Sequence, residues 1–386
     1  MTSSHQTAFT TTDEFQSSMI DGLKFAMACL VVMIHVDGGL ISSSYSGTYQ
    51  GGTFDIIHIL FAQGICRIAV PFFFMISGFL YFTHLREWNW HIYIKKEKRR
   101  VRTLVVPYLL WNIISIAVFI GVKYAEMMWN GKFFYPTNFI AQQGGWRMFW
   151  DCGRIIDESA VNVLGITMHN GFPFNGPLWF IRDLFIVTLF SPAVHFFIRK
   201  FGASFITLLS ILMILNIWLP FEGMSSLAIF FFSLGGWIRL SNGNLINFWG
   251  RIKALSYTLP ALLLTAAVIC YGKFVLLYQI VIRLFAIFGC GTVVNLAVDL
   301  HAWKGRLISP TLSKSSFFIF SAQRIFIIPL AVSIVSWIIP FEDNGIVSVF
   351  KYFASSTVCV LLCILLFLLL KKLSPKALTI LSGRRL

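Results

Sequence analysis

Ten apolar runs, near residues 21–40, 55–82, 101–122, 177–197, 203–220, 225–240, 254–272, 274–298, 315–340 and 346–371, alternate with short polar breaks. About 20 residues at about 1.5 Å each cross a hydrocarbon core roughly 30 Å thick. Lipid offers backbone amides no partner, so each run is predicted to close its hydrogen bonds within itself as a helix. Composition agrees: 57% of residues are hydrophobic and 12% charged, which excludes an ordinary water-soluble domain. The predicted fold class is all-α, a polytopic integral membrane protein of about ten transmembrane helices.

Lys and Arg are retained preferentially on the cytoplasmic side, which fixes the orientation. One set of loops holds 20 of them, from Arg86 to Arg385. The opposite loops hold five, Lys123, Lys132, Arg147, Arg154 and Lys273, although they include the longest loop, about 123–176. Both termini are therefore expected to be cytoplasmic. Residues 1–20 read as a flexible tail, 21–371 as one transmembrane domain and 372–386 as a basic tail. The net charge of +15 fits anionic lipid at the inner surface or an anionic cytosolic ligand, not nucleic acid. The first run has no basic start or cleavage pattern and is expected to stay as a span. Six of the seven cysteines fall within spans and Cys152 in an outer loop, so no disulfide framework is expected. With no Cys or His cluster at ligand spacing, no metal is expected.

Charges inside the spans are one-sided: Lys24, Arg67, Arg182, Arg283 and Arg324 against one well-embedded acid, Asp183. Asp21 lies three residues before Lys24, close enough for contact. Arg182 and Asp183 are adjacent and are expected to point to separate partners. Arginine clamps onto backbone carbonyls account for one or two of the cations. The remainder suggest a site for something strongly negative, such as a phosphate-bearing cofactor. Lys24 and His35 are eleven residues apart, within roughly 20° of a whole number of turns, on one helix face and about 16 Å apart along it. This places a cation at the membrane edge and an imidazole near mid-depth, which implies a polar cavity; a snorkelling lysine beside a helix-bridging histidine is the alternative.

Four segments then stand in order: Ile20-Asp21-Gly22-Leu23-Lys24 leading to His35; Arg67-Ile68-Ala69-Val70-Pro71 running through Phe73 to Ser77-Gly78-Phe79; Arg99-Arg100-Val101-Arg102 with Pro107-Tyr108; and Leu178-Trp179-Phe180-Ile181-Arg182-Asp183 with Ser191-Pro192. From about residue 20 to 372 the chain closely resembles the membrane-bound acyltransferase 3 family, whose usual count is ten spans. The resemblance implies transfer of an acetyl or other acyl group from cytosolic acyl-CoA to sugars of surface polysaccharide, lipopolysaccharide or enterobacterial common antigen, at a bacterial inner membrane. Two places depart from the family pattern. Lys24 stands where arginine is usual, keeping the charge but losing the planar fork. Phe320 and Gln323 stand where tyrosine and histidine are common.

A sugar hydroxyl attacks a thioester only with help from a base, and imidazole suits that task. His35 is the candidate catalytic base. Lys24, on the same face, is grouped with it as a catalytic candidate and is assigned to the phosphate or pantetheine end of acetyl-CoA or another acyl-CoA. Arg67 and the mouth residues Arg99, Arg100 and Arg102 are assigned to the remaining phosphates, although positive-inside retention alone would also place the last three. Acceptor-side candidates are Arg182, Asp183, His58, Trp146 and Trp150. The loop 123–176 also carries Asp151, Asp157 and Glu158; its aromatics and carboxylates suit a carbohydrate, and a tryptophan belt explains the aromatics equally well. Expected partners are membrane lipid and a carbohydrate or lipid-linked glycan acceptor, with homo-oligomerisation left open. Direct transfer and an acyl-histidine relay are both open. A secondary transporter of an anionic solute is the alternative function, although the chain lacks paired broken helices.

Overall fold

The apolar runs do close as helices, with ends moved by packing. The computed structural model describes residues 2–42, 52–83, 85, 87–131, 133–152, 171–218, 223–241, 243–304, 308–341 and 344–384. Helix α1 covers Thr2–His35 and its apolar portion begins at Phe15. Next come α2 (Thr53–Tyr81) and α3 (Trp90–Asn130), then α4 (Gly176–Leu189) and α5 (Ser191–Phe201), bent by 64° at their junction. Short helices α6 (Ala203–Ile214) and α7 (Ser226–Leu240) precede α8 (Lys253–Cys270), α9 (Val275–Lys304), α10 (Pro310–Ile338), α11 (Gly345–Leu373) and α12 (Pro375–Leu381). Seven helices are long and apolar enough to cross a membrane, and the bent α4–α5 pair makes an eighth if counted as one. The fifth and sixth predicted runs are the shorter α6 and α7. Among the described residues there is no β-strand element.

Parts of the two predicted tails pack against the bundle. Met19, Leu23 and Met27 recur at helical spacing and are buried, so the apolar stripe of α1 extends back past residue 21. Phe15 meets the ring of His301 at 4.4 Å, and buried Gln16 accepts a hydrogen bond from Leu245 N at 2.9 Å. The segment 15–20 is therefore part of the packed span rather than of a flexible tail. At the other end, α12 docks its buried Leu378, and Trp111 Nε1 of α3 donates to Leu381 O at 3.0 Å.

His35 ends α1, but its neighbours continue beyond it. The hydroxyl of Tyr352 donates to Met33 O at 2.8 Å, and α11 starts seven residues, about 10 Å, outward of Tyr352. His35 is thus recessed below the outer rim of the bundle.

The long loop also departs from its expected surface path. Its described ends dip into the bundle: Tyr108 donates to Phe149 O, Asn175 N donates to Asn112 Oδ1 at 3.0 Å, and Asn175 Nδ2 donates to Ser321 O at 3.0 Å. Ser321 is eleven residues inside α10. Helix α4 therefore starts part-way through the bundle, and irregular backbone is held at that depth only because protein groups satisfy it.

The tightest helix pair is α2 with α7. A Cβ placed on Gly78 would lie 1.9 Å from Phe232 O, and one on Gly235 would lie 1.9 Å from Met75 O. Backbones touching this closely leave room only for glycine. Because Phe230, Phe231 and Phe232 are all buried, α7 is enclosed by protein and its 15 residues need not match the lipid thickness. Gly78→Ala and Gly235→Ala are each expected to cost about 1–3 kcal/mol or more through overpacking. Gly121→Ala, with no atom near the new methyl, is expected to be neutral or slightly stabilising. Thermal midpoints in detergent measure the contrast.

Candidate active site

A cavity of about 550 Å³ opens between α1, α2, α3, α4 and α10. Chain direction orders its wall. Helices α1, α3 and α10 leave the basic-loop side and α2 and α4 return to it, so residue number measures depth. At the mouth stand Asp21, Lys96, Arg99, Arg100 and Lys314, with Tyr81 beside them. Lys24 lies one turn deeper and pairs with Asp21 at 2.8 Å, both partly exposed, as their spacing predicted. The deepest lining residues on α2, α4 and α10 are Phe73, Phe180 and Phe320, whose ring centroids are 5.6 to 6.3 Å apart. The cavity is thus basic where it opens and aromatic where it ends.

Beyond that aromatic floor stands His35. Its Nδ1 lies 2.8 Å from Val31 O. A carbonyl can only accept, so Nδ1 carries the proton and Nε2 presents its lone pair. Arg324, four residues beyond Phe320 on α10, and Arg67 of α2 are the charged groups that bear on His35. The structure therefore divides the predicted residues into two groups. Lys24, Arg99 and Arg100 share the cavity, whereas Arg67 belongs to the His35 side, where it donates to Gln63 Oε1. Arg102 is exposed and does not line the cavity.

The acceptor-side candidates scatter. His58 is buried, with Nε2 3.4 Å from Val36 O and its ring 5.2 Å from that of Tyr352, so it fastens the outer end of α1. Trp146 is exposed, while Trp150 lies under the Arg182 guanidinium at 5.3 Å. Asp157 and Glu158 lie outside the described residues. Arg182 and Asp183, expected to seek separate partners, instead bind each other: Arg182 Nε and Nη2 donate to Asp183 Oδ1 at 3.1 and 3.0 Å. A guanidinium is long enough to fold back over one helical step, and burial of both groups makes that contact strongly favourable. Arg182 Nη1 also donates to Trp150 O at 2.5 Å and Gly171 O at 3.0 Å, and Asp183 Oδ2 accepts from Ser225 N at 3.1 Å. The pair thus fastens the dipping loop and the start of α7 to α4. Arg283 is a second carbonyl clamp, donating to Ile214 O at the end of α6 at 3.1 Å.

Comparison with known proteins sets these residues in context. The family described as an acyltransferase domain matches residues 18–368. The chain belongs to the acyltransferase 3 family. It is similar to the succinoglycan biosynthesis protein ExoH of Rhizobium meliloti, 26% identical over 198 residues. That match spans 51% of this chain and 46% of the relative, so the chain covers about half the length of the relative it matches. No solved structure matches it.

In this acyltransferase 3 chain, three features carry little or no sequence signal. Glu97 sits within a basic run yet is buried, accepting from Tyr81 Oη at 2.8 Å and from Thr188 Oγ1 at 3.0 Å. Ser191 Oγ in turn donates to Tyr81 Oη at 2.8 Å, and Lys96 and Arg100 flank the Tyr81 ring. This network sets the shape of the cavity mouth and makes Glu97 a second embedded acid. Lys351, inside the last run, is a sixth embedded cation and donates to Phe341 O at 3.3 Å. Finally, π-helical turns at Ile59–Gly64, Val101–Val105 and Gln323–Ile327 interrupt α2, α3 and α10 near Arg67, Arg102 and Arg324. Pro107 and Pro329, each just after such a turn, are the signal in the sequence, since a proline lacks the N–H that the regular ladder needs.

Arg182→Ala leaves Asp183 and two carbonyls buried without their donor, so it is expected to cost about 3–5 kcal/mol. Arg182→Lys should recover only part of this, because one ammonium cannot reproduce the fork. Thermal midpoints of the purified variants check both.

Proposed function

We propose that the protein transfers an acyl group, most simply acetyl, from cytosolic acyl-CoA to a hydroxyl of an envelope polysaccharide or its lipid-linked precursor, with His35 as general base. The observation that carries this reading is the arrangement of the site in a member of an acyltransferase family. A basic cavity opens on the side of the basic loops, and an imidazole with a free lone pair stands beyond its deep end. Membership of the relative in succinoglycan biosynthesis supports a polysaccharide acceptor.

Arg99, Arg100 and Lys314 suit the nucleotide phosphates, and guanidinium groups bind them with charge-assisted hydrogen bonds. Lys24, deeper, suits the inner phosphate of the pantetheine arm. The remaining distance to His35 is about 16 Å along α1, which the extended arm has to span. At His35, Nε2 takes the hydroxyl proton as the acceptor oxygen attacks the thioester carbonyl carbon. The new C–O bond forms, the C–S bond breaks, and the proton passes to the departing thiolate to give free CoA. Arg324 and Arg67 supply positive charge beside His35, where negative charge develops on the carbonyl oxygen. The membrane-spanning bundle thereby joins a donor from one face to an acceptor from the other.

His35→Ala is expected to abolish transfer while the protein stays folded and inserted. Lys24→Arg should keep activity and Lys24→Ala lose it, and glycan acylation measured by mass spectrometry reports both. Wild-type acylation by the His35 variant would overturn the mechanism. In oriented vesicles, donor supplied on the basic-loop side alone is expected to support transfer. Arg99→Ala and Arg100→Ala should each weaken donor binding by roughly 1.5–3 kcal/mol, about ten- to a hundredfold, with raised salt mimicking the loss in part. Arg102→Ala, outside the cavity, should do less. Donor that works only from the opposite side would reject this cavity as the donor site.

A further inference from the structure

We propose that Tyr81 and Glu97 are positioning residues for the donor: they hold the Arg100 guanidinium at the cavity mouth in the pose that grips a phosphate of acyl-CoA. The inference rests on the reading of the cavity as the donor site. Tyr81, Lys96 and Arg100 line the cavity, and Glu97 is buried behind them. Tyr81 of α2 is tied to three other helices. Its hydroxyl donates to Glu97 Oε1 of α3 at 2.8 Å and accepts from Ser191 Oγ of α5 at 2.8 Å, while Glu97 Oε2 accepts from Thr188 Oγ1 of α4 at 3.0 Å. Thr188 and Ser191 are fully buried, so the ring is fixed in place.

Arg100 lies with its guanidinium carbon 4.9 Å from the centre of that ring, and Lys96 Nζ lies 5.0 Å from it. Lys96 donates to Tyr81 O and, at 3.2 Å, to Thr83 O, so it fastens the end of α2. A cation over a ring is held by its charge and gives up none of its N–H donors, so those of Arg100 stay available to an anion. Two cations one helical turn apart at a single ring also repel each other. Glu97, between them in sequence and joined to the ring through the Tyr81 hydroxyl, supplies the compensating charge where little water reaches. Glu97→Gln keeps the shape and an acceptor oxygen but not the charge, and Tyr81→Phe keeps the ring but not the hydroxyl. In either variant Arg100 loses its fixed pose and has to be ordered by the donor itself, which lowers affinity. A carboxylate can also compete with phosphate for a guanidinium. Both Glu97 oxygens are taken by hydroxyls and Glu97 does not line the cavity, so competition is the smaller effect.

The test is steady-state kinetics of the full-length wild type, Glu97→Gln, Tyr81→Phe, Arg100→Ala and the Glu97→Gln, Arg100→Ala double variant. Each is assayed with acetyl-CoA and with S-acetylpantetheine, which carries the thioester but no phosphate. Glu97→Gln is expected to raise KM for acetyl-CoA about five- to tenfold, part of the roughly ten- to hundredfold that a charge-assisted phosphate contact carries, with kcat within about twofold. Tyr81→Phe should act in the same direction by about three- to fivefold, and it reads the same effect where Glu97→Gln fails to fold. In both, kcat/KM for S-acetylpantetheine should stay within about twofold of wild type, and Glu97→Gln should add less than about twofold to Arg100→Ala, since it acts through that residue. Where the truncated donor turns over too slowly to measure, the Arg100→Ala background carries the same distinction. An unchanged or lowered KM for acetyl-CoA in the folded variants, an equal loss with both donors, full additivity with Arg100→Ala, or loss of the fold in both Glu97→Gln and Tyr81→Phe overturns the inference and leaves the proposed function standing. A wild type that consumes no acyl-CoA overturns both.

Discussion

Polar groups inside a hydrocarbon slab have to meet a protein partner or water, and most of this architecture follows from how the chain meets that demand. The loop before α4 carries irregular backbone to the level of Ser321. It stays there because Tyr108, Asn112, Arg182 and Asn175 each take up a backbone or amide group of the segment or of its neighbours. Asp183 neutralises Arg182 and also caps the approach to α7. Without this buried cluster α4 would have no fixed starting point, and neither would Phe180, one turn into it.

The same demand separates cations that fasten one element to another from those that line the cavity. Arg182, Arg283 and Lys351 spend donors on main-chain carbonyls and fasten one element to another. Lys24, Arg99 and Arg100 instead line open volume. Among the described residues Lys24 pairs with the partly exposed Asp21, an interaction weak enough in water to be exchanged for a competing anion. Glu97 balances the mouth from behind, tying α3 to α2, α4 and α5 through Tyr81, Thr188 and Ser191.

Backbone contact between α2 and α7 at Gly78 and Gly235 holds Phe73 at the depth where it meets rings from α4 and α10. This division into a basic vestibule, an aromatic floor and a recessed His35 is a property of three helices brought to one level. The cation of α1 lines the cavity, and the imidazole eleven residues further along the helix does not.

Much was legible in the sequence. The apolar runs, the Asp21–Lys24 contact, the shared face of Lys24 and His35 and the carbonyl-clamping arginines follow from helical periodicity and transfer energy, which act locally. The packing of the segments that flank the first and last runs is not legible there, because Phe15, Met19 and Leu378 are held by distant partners. The mutual pairing of Arg182 and Asp183, the burial of Glu97 and the meeting of Phe73, Phe180 and Phe320 were decided only by the tertiary structure. Each depends on the depth and rotation at which helices pack, and these are set by glycine contacts, π-helical turns and a dipping loop rather than by any one segment alone.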